Sequence, residues 1–209
     1  MAVRPAAAST RHVLVRHGET AWNAQRRFTT RSDVSLSERG LAQARALADG
    51  LADAALDAIY ASPSARARVT AETIAAASPG RPTVVIDERL REIDAGPFEG
   101  LTPEEIEAGP LAEAYAAWHT DGEPVFPSGA ETFDEAIARA RAFLRDAAAR
   151  PGLALVVSHG SLIRLVLAVF VLGAPPGRHR RLWLENGRFA LVEWGTHPRL
   201  LAFNAVRLD

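Results

Sequence analysis

Four short polar segments of this chain carry residues suited to binding or attacking a phosphoryl group. They are residues 16–19, 62–66, 91–92 and 158–160, and each follows a predicted β-strand. Because the carboxyl ends of strands in an α/β sheet form the edge where ligands usually bind, we expect the four segments to lie together. Their shared position predicts one site at that edge.

The first segment centres on His17, with Arg16 before it and Gly18 after it. A neutral imidazole can attack phosphorus in line while cations stabilise the equatorial oxygens. Arg16 and Arg66 offer planar guanidinium groups for bidentate contacts to those oxygens. His159 can donate a hydrogen bond to them and, if protonated, add positive charge. This set predicts phosphoryl transfer through a covalent histidine.

Glu92 is the candidate proton donor of the predicted site. Expelling an alkoxide is costly, so a carboxylic acid near the leaving oxygen helps, and it can later activate water against a phosphohistidine. A solvated ion pair between Arg91 and Glu92 is the alternative interpretation of the same residues.

The bulk composition indicates an ordinary globular protein. The 209 residues suit one large domain, and a net charge of −1 gives no overall attraction to nucleic acid or membrane. The absence of cysteine is typical of a reducing cytoplasm, and no secretory signal is evident at the N-terminus. Polar residues interrupt the apolar stretch 153–173, which therefore predicts a strand and a helix, not a membrane span. We expect a cytoplasmic protein without nucleic-acid or membrane partners.

Strands alternate with helices along the chain, which predicts a mostly parallel central sheet flanked by helices on both faces, a three-layer α/β sandwich. The predicted strands are 12–15, 56–61, 83–86 and 153–157, followed by closing strands 181–184, 188–194 and 200–206. The main predicted helices are 37–49, 64–77, 132–150 and 161–172. An Asn186-Gly187 turn is expected to join the first two closing strands.

Residues 94–130 form a long, partly irregular segment. Its capping box at 102–105 predicts a short helix, and 121–130 is rich in Gly and Pro and predicts a loop. We expect this segment to fold over the site as a lid within a single domain, 1–209.

These segments resemble the histidine phosphatase superfamily, in its phosphoglycerate mutase-like branch. The run 13–23, VLVRHGETAWN, is similar to the family signature, and residues 62–72, 90–101 and 157–160 are similar to its other motifs. The resemblance covers nearly the whole chain. It implies a phosphoglycerate mutase-like fold and a histidine acid phosphatase-type phosphoric monoester hydrolase that needs no metal or other cofactor.

The resemblance also implies a role for each residue of the site. His17 would be the phosphorylated nucleophile and Glu92 the proton donor. The phosphate-binding residues would be Arg16, Arg66, His159 and Asn23.

The match lapses after Asn23, where the family continues toward an Arg-x-Gln-Gly-type segment. Here threonines stand in the place of Gln-Gly, and losing the glycine restricts the backbone at the pocket mouth. We expect this segment to contact the substrate and to select a different leaving group. Its residues are Arg27, Phe28, Thr29 and Thr30.

Other polar residues receive structural interpretations. Arg164 is expected to form a salt bridge or face solvent, and His12, His179 and His197 to be structural or exposed. For Trp118, His119 and Phe126, core packing and substrate contact are both open.

The leading function is hydrolysis of a small phosphorylated metabolite through a phosphohistidine. The nearest alternative is a 2,3-bisphosphoglycerate-dependent phosphoglycerate mutase. Such mutases have a longer insertion after the glutamate and a flexible C-terminal tail, whereas here Glu92 is soon followed by the short 96–100 segment and the chain ends at Asp209.

Two further functions are less favoured. A protein phosphohistidine phosphatase tends to lack the acid and the lid, and a non-catalytic phosphate-binding protein would lack the nucleophile or a pocket cation. A homodimer stays open.

Overall fold

A six-stranded sheet forms the centre of the protein in a computed structural model that describes residues 10–120 and 124–208. The strands are β1 (Thr10–Arg16), β2 (Ala58–Ala61), β3 (Val84–Ile86), β4 (Gly152–Ser158), β5 (Phe189–Trp194) and β6 (Arg199–Ala205). Their order is β3-β2-β4-β1-β5-β6. The first four are mutually parallel, and β5 and β6 are antiparallel to their neighbours. The mostly parallel sheet is confirmed.

Helices cover both faces of the sheet, as predicted. They are α1 (Ala21–Ala24), α2 (Glu38–Gly50), α3 (Ala65–Ala77), α4 (Pro103–Glu107), α5 (Ala112–Trp118), α6 (Phe133–Ala148) and α7 (Gly160–Val166). Helix α7 continues into a π-helical turn, Leu167–Val171. The predicted loop falls on 124–130, while 121–123 lie outside the described residues.

Alternation along the strands separates two cores. In β1, Val13 and Val15 pack with α2 and α3, whereas Leu14 packs with α6 and α7. Successive strand side chains point to opposite faces, so one apolar run serves both layers. This is the predicted three-layer sandwich.

Side-chain caps start three of the predicted helices. The Ser37 hydroxyl accepts the Gly40 N–H, and Thr102 and Thr132 form reciprocal capping boxes with Glu105 and Glu135. Each cap satisfies backbone donors that the first helical turn leaves unpaired.

The predicted strand at 181–184 is wrong. Residues 176–181 form a 3₁₀ helix, and 182–184 pass the pocket edge without strand pairing. The Leu184 carbonyl accepts a hydrogen bond of 2.6 Å from Arg16 Nη1, so a half-buried arginine side chain takes the place of the backbone donor that a neighbouring strand would supply. The Asn186-Gly187 turn therefore leads into β5 without closing a hairpin.

The apolar stretch 153–173 consists of β4, a tight turn and α7 with its extension, as predicted. Across residues 10–120 and 124–208, no helix is long and apolar enough to span a membrane.

A third, smaller core lies in the segment 94–120. Its buried members pack with Phe28, which comes much earlier in the chain, and they are Ala95, Phe98, Ile106, Tyr115 and Trp118. Trp118 thus packs in this core, and it also lines the cavity described below. We call residues 26–31 and 94–119 together the roof. Its movement as a lid stays a prediction, as does the single domain.

Candidate active site

A cavity of about 440 Å³ opens at the carboxyl ends of the parallel strands. Its walls combine the roof with residues of three of the four predicted segments, and among the described residues none of 62–66 lines it. The predicted site residues that line it are Arg16, His17, Asn23, Arg27, Phe28, Thr29, Thr30 and Glu92. Arg66 and His159 are fully buried, and the ring of His159 lies 5.1 Å from that of His17.

His17 is held in one tautomer. Its Nδ1 lies 2.7 Å from the Gly18 carbonyl oxygen, which can only accept, so Nδ1 carries the proton and Nε2 keeps its lone pair. Burial, together with the charges of Arg66 and Arg16, holds the pKa of His17 well below its usual value. The ring is therefore neutral at pH 7, which is the form able to attack phosphorus.

Gly18 permits a close backbone approach beside this histidine. A Cβ atom at Gly18 would lie 2.4 Å from the Gly40 carbonyl oxygen, so any side chain there would displace the start of α2.

Arg16, at the end of β1, is anchored on one side only. Its Nη1 donates to Leu184, while its buried Nε has no hydrogen-bond partner among the described residues. Burial, with a contribution from Arg164, lowers its pKa to about 10, so it remains charged at pH 7. A Cβ at Gly160 would lie 3.1 Å from this Nε, so glycine leaves room for the guanidinium.

Arg66, in the first turn of α3, is held by backbone carbonyls. Nη1 donates to Ser32 at 2.8 Å, and Nη2 donates to Thr29 at 3.2 Å and Thr30 at 3.4 Å. Its Nε is buried and has no partner within the described ranges. Burial lowers the pKa of Arg66. The carbonyls fix the plane of the guanidinium and leave an N–H for a ligand.

His159 follows β4 and begins α7. Its Nε2 lies 2.7 Å from the Ser62 hydroxyl oxygen, and its buried Nδ1 has no partner in the part of the chain described. When Ser62 donates to Nε2, Nδ1 carries the proton and can donate to an anionic oxygen. Burial and the neighbouring His17 and arginines lower the pKa of His159 well below its usual value. His159 therefore carries no positive charge in the free site at pH 7, and it offers an N–H to a ligand in the tautomer in which Ser62 is the donor.

Glu92 lies at the amino end of α7. Oε1 accepts the N–H groups of Ile93 and Leu162 at 2.9 and 3.0 Å, and Oε2 accepts that of Ser161 at 3.0 Å. The helix terminus thus fixes the carboxyl in the cavity wall. The solvated Arg91–Glu92 pair is wrong, because Arg91 pairs with Glu88.

Asn23 is tied to the backbone around the nucleophile. Its side-chain oxygen accepts the Thr20 N–H and the Asn186 amide, both at 3.1 Å, and Asn186 also donates to the His17 carbonyl. Asn23 thereby lines the cavity beside His17.

The segment 27–30 lies in the cavity wall, but much of its polarity is bound within the protein. Arg27 makes a bidentate ion pair with Glu105 at 2.7 and 2.8 Å, and the Thr30 hydroxyl donates to Glu99 at 2.5 Å. The residue with positive φ in this turn is Arg26, at 61°, so the chain passes both threonines without strain. Substrate contact by this segment stays a prediction.

Arg164 is the main residue that the sequence interpretation misplaced. It lines the cavity and donates to Gly160 O at 2.9 Å, Leu182 O at 3.3 Å and Ser161 Oγ at 3.2 Å. No carboxylate lies within ion-pair distance of it in the described ranges. Its spacing of four residues from Gly160 on a helix was the available signal, because it places both on one face.

His179 is also part of the cavity wall. It is buried, its Nδ1 lies 2.8 Å from the Pro176 carbonyl, and burial lowers its pKa to about 3. His12 is buried away from the cavity and His197 is exposed, as expected. Within the described ranges, no three His, Cys, Asp or Glu side chains cluster as metal ligands.

These positions separate the site into two parts. We call Arg16, His17, Arg66, Glu92 and His159 the floor, which is carried by the sheet and by the helices that follow its strands. The roof covers it. The floor brings together a neutral imidazole, a carboxyl group and three buried nitrogens without partners in the described chain. Two of them, Arg16 Nε and Arg66 Nε, are N–H donors, and the third is His159 Nδ1.

Comparison with known proteins matches the chain to the family model of the histidine phosphatase superfamily (branch 1) over residues 12–205. A relative in Proteus mirabilis named "Probable phosphoglycerate mutase GpmB" is 37% identical over 194 residues, which cover 90% of this chain and 86% of the relative.

Two solved structures have the same fold. A mycobacterial glucosyl-3-phosphoglycerate phosphatase in complex with VO₃ matches with a TM-score of 0.80 and 28% identity, covering 95% of this chain and all of the other. The alpha-ribazole phosphatase of Shigella flexneri matches with a TM-score of 0.84 and 25% identity, covering 96% and 98%. The chain belongs to the histidine phosphatase superfamily.

Proposed function

We propose that this member of the superfamily hydrolyses a small phosphorylated metabolite through a phosphohistidine on His17. One observation carries the proposal: His17 presents an unprotonated Nε2 beside the buried Nε–H donors of Arg16 and Arg66, which lack acceptors in the described chain. A buried donor left unsatisfied costs about 1–3 kcal/mol, so the site favours a ligand with several anionic oxygens. A phosphoryl group supplies them.

In the first step, the Nε2 lone pair of His17 forms a bond to phosphorus as the bond to the ester oxygen breaks. Arg16 and Arg66 stabilise the charge on the equatorial oxygens. Glu92, entering the step protonated, gives its proton to the leaving alkoxide, and the alcohol departs.

In the second step, water attacks the phosphohistidine. The Glu92 carboxylate takes the proton of the water as the N–P bond breaks, which releases phosphate and restores both His17 and protonated Glu92. Throughout, the Gly18 carbonyl keeps the proton on Nδ1, so the same nitrogen attacks and leaves.

A phosphoglycerate mutase is the second candidate, and the name of the relative from Proteus mirabilis favours it. It would use the same first step but return the phosphoryl group to a bound product. The names of the two structural neighbours favour hydrolysis. Arg164 lies in the wall near Glu92, where the leaving group of either reaction would sit.

The test is phosphate release from p-nitrophenyl phosphate and from a panel of phosphorylated metabolites, in EDTA, with mutase activity measured in parallel. His17→Ala is expected to lower the rate by about 10⁴-fold or more, because it removes the attacking atom. His197→Ala, an exposed histidine, is the matched control and should not change it. Full activity of His17→Ala would overturn the proposal, and isomerisation of phosphoglycerate without phosphate release would favour the mutase.

A further inference from the structure

We propose that Glu99 is a positioning residue, which sets the direction of the Arg66 guanidinium through the loop 29–32. The inference rests on the proposed function, in which Arg66 binds the phosphoryl oxygens. It concerns a roof carboxylate that itself has no place in the reaction steps above.

On one side of this loop, the Glu99 carboxylate accepts hydrogen bonds from N–H and hydroxyl groups of the loop. Oε2 accepts the Thr30 N–H at 2.9 Å and the Thr30 hydroxyl at 2.5 Å, and Oε1 accepts the Ser32 N–H at 2.9 Å. Burial acts to raise the pKa of Glu99, but the hydrogen bonds from Thr30 and Ser32 outweigh it and lower the pKa. The carboxylate is therefore ionised at neutral pH and binds the loop with charge-assisted hydrogen bonds.

On the other side, the loop turns its carbonyls to Arg66. The oxygens of Thr29, Thr30 and Ser32 accept from the two terminal nitrogens of the guanidinium. Thr30 and Ser32 thus each give an N–H to Glu99 and a carbonyl to Arg66. The peptide group between Thr29 and Thr30 gives its N–H to Glu99 and its carbonyl to Arg66, so the carboxylate polarises it and strengthens that carbonyl as an acceptor.

This arrangement matters because Arg66 has no other anchor of comparable strength. It is fully buried, and no carboxylate lies within ion-pair distance of it in the described ranges. A shift of the loop carbonyls would rotate the guanidinium plane and turn its Nε away from the ligand. Misplacement by about 1 Å at such a site can cost roughly 10²-fold in rate.

The experiment is a double-mutant cycle with Glu99→Gln, Arg66→Met and the double variant. The probes are inorganic phosphate, by titration calorimetry, and orthovanadate, by inhibition of p-nitrophenyl phosphate hydrolysis. We expect Glu99→Gln to weaken both by about tenfold and Arg66→Met by about 100-fold. The double variant should match Arg66→Met, because Glu99 acts only through Arg66.

The matched control is Glu104→Gln, since Glu104 is another roof carboxylate but pairs with Arg26 at the surface. It should leave the affinities unchanged. Thr30→Val removes only the hydroxyl bond and should weaken binding by about twofold to threefold, again with no effect in the Arg66→Met background. If Glu99→Gln does not fold, this second cycle decides.

If Glu99→Gln lowered the affinity equally in the presence of Arg66 and in the Arg66→Met background, Glu99 would merely support the roof. That result would overturn the positioning role alone. If the unsubstituted protein bound neither phosphate nor vanadate, the proposed function would fail and this inference with it.

Discussion

The floor and the roof of the cavity handle their charges in opposite ways. In the roof, Arg26, Arg27 and Arg31 each pair with a carboxylate of the segment 94–119, at 2.6, 2.7 and 3.3 Å. In the floor, Arg16 and Arg66 are bound only by carbonyl oxygens and each keeps a buried Nε without a partner in the described chain. The three roof arginines thus have carboxylate partners without any ligand, whereas the two floor arginines have none in the described chain.

This difference indicates that the floor supplies the binding energy for an anionic ligand, while the roof supplies the shape of the cavity. Donors fixed before the substrate arrives stabilise charge in the reaction without reorganising, and burial strengthens their effect. Paired roof charges contribute little to an anionic ligand, but they hold Phe28 and the third core over the cavity. We expect substitutions in the floor to change the chemistry and those of the paired roof arginines to change mainly stability or selectivity. Glu99 is the exception in the roof, because it acts through Arg66.

After His17→Ala, the largest effect is expected for Glu92→Gln on substrates with poor leaving groups. Without a proton donor the alkoxide must leave unassisted, so alkyl phosphates should slow by about 10²–10⁴-fold. Hydrolysis of p-nitrophenyl phosphate should slow far less, since nitrophenolate leaves readily. The measurement is kcat/KM for both classes, and equal slowing would remove Glu92 from the acid role.

A matched pair of substitutions tests the comparison directly. Arg16→Gln should lower kcat/KM by about 10²–10³-fold, as expected for one donor to a transition-state oxygen. Arg27→Gln removes an equal charge from the same cavity wall. Its ion pair with Glu105 is partly exposed, so we expect a change below about threefold in kcat/KM and a loss of unfolding free energy of about 1 kcal/mol or less.

Steady-state kinetics and urea unfolding of both variants give the answer. Similar kinetic losses for Arg16→Gln and Arg27→Gln would show that the roof cation also binds the phosphoryl group, and the distinction between floor and roof would then be wrong.

The floor was largely predictable from the sequence because it depends on local rules. Apolar runs marked β1, β2 and β4, and in a parallel sheet the residues that follow such strands must meet. The sequence could therefore place His17, Arg66, Glu92 and His159 near one edge of the sheet without knowledge of any contact, while their roles stay predictions.

The roof was not predictable in the same way, because its contacts join distant segments. Nothing near Thr30 in the chain indicates that Glu99, 69 residues later, binds its hydroxyl. The predicted strand at 181–184 failed for the same reason, since the Leu184 carbonyl is bound by Arg16. Arg164 was misplaced because helical spacing shows a shared face but not what that face lines.

Substitution of His12 is expected to have the smallest effect on activity and the clearest effect on the pH dependence of stability. This residue lies on β1 five positions before His17 and is likewise fully buried, yet both of its ring nitrogens lack partners in the described ranges. Burial lowers its pKa to about 4. In the unfolded chain the pKa is about 6.5, so below pH 6.5 the unfolded state takes up a proton that the folded state refuses. Folding stability is therefore fully present above that pH and is lost as the pH falls toward 4.

His12→Phe keeps a ring of similar shape and removes this proton. At pH 7 the unfolding free energy should equal or exceed that of the unsubstituted protein, because no unsatisfied polar group remains to be buried. Between pH 6.5 and 4 the variant should avoid a loss of about 3 kcal/mol in unfolding free energy. The contributions of His17, His159 and His179 to the pH dependence are the same in both proteins. Urea unfolding at pH 7, 6 and 5 measures the difference. Identical pH slopes would mean that His12 takes up its proton at the same pH in the folded and unfolded states, which would contradict its burial as a neutral side chain.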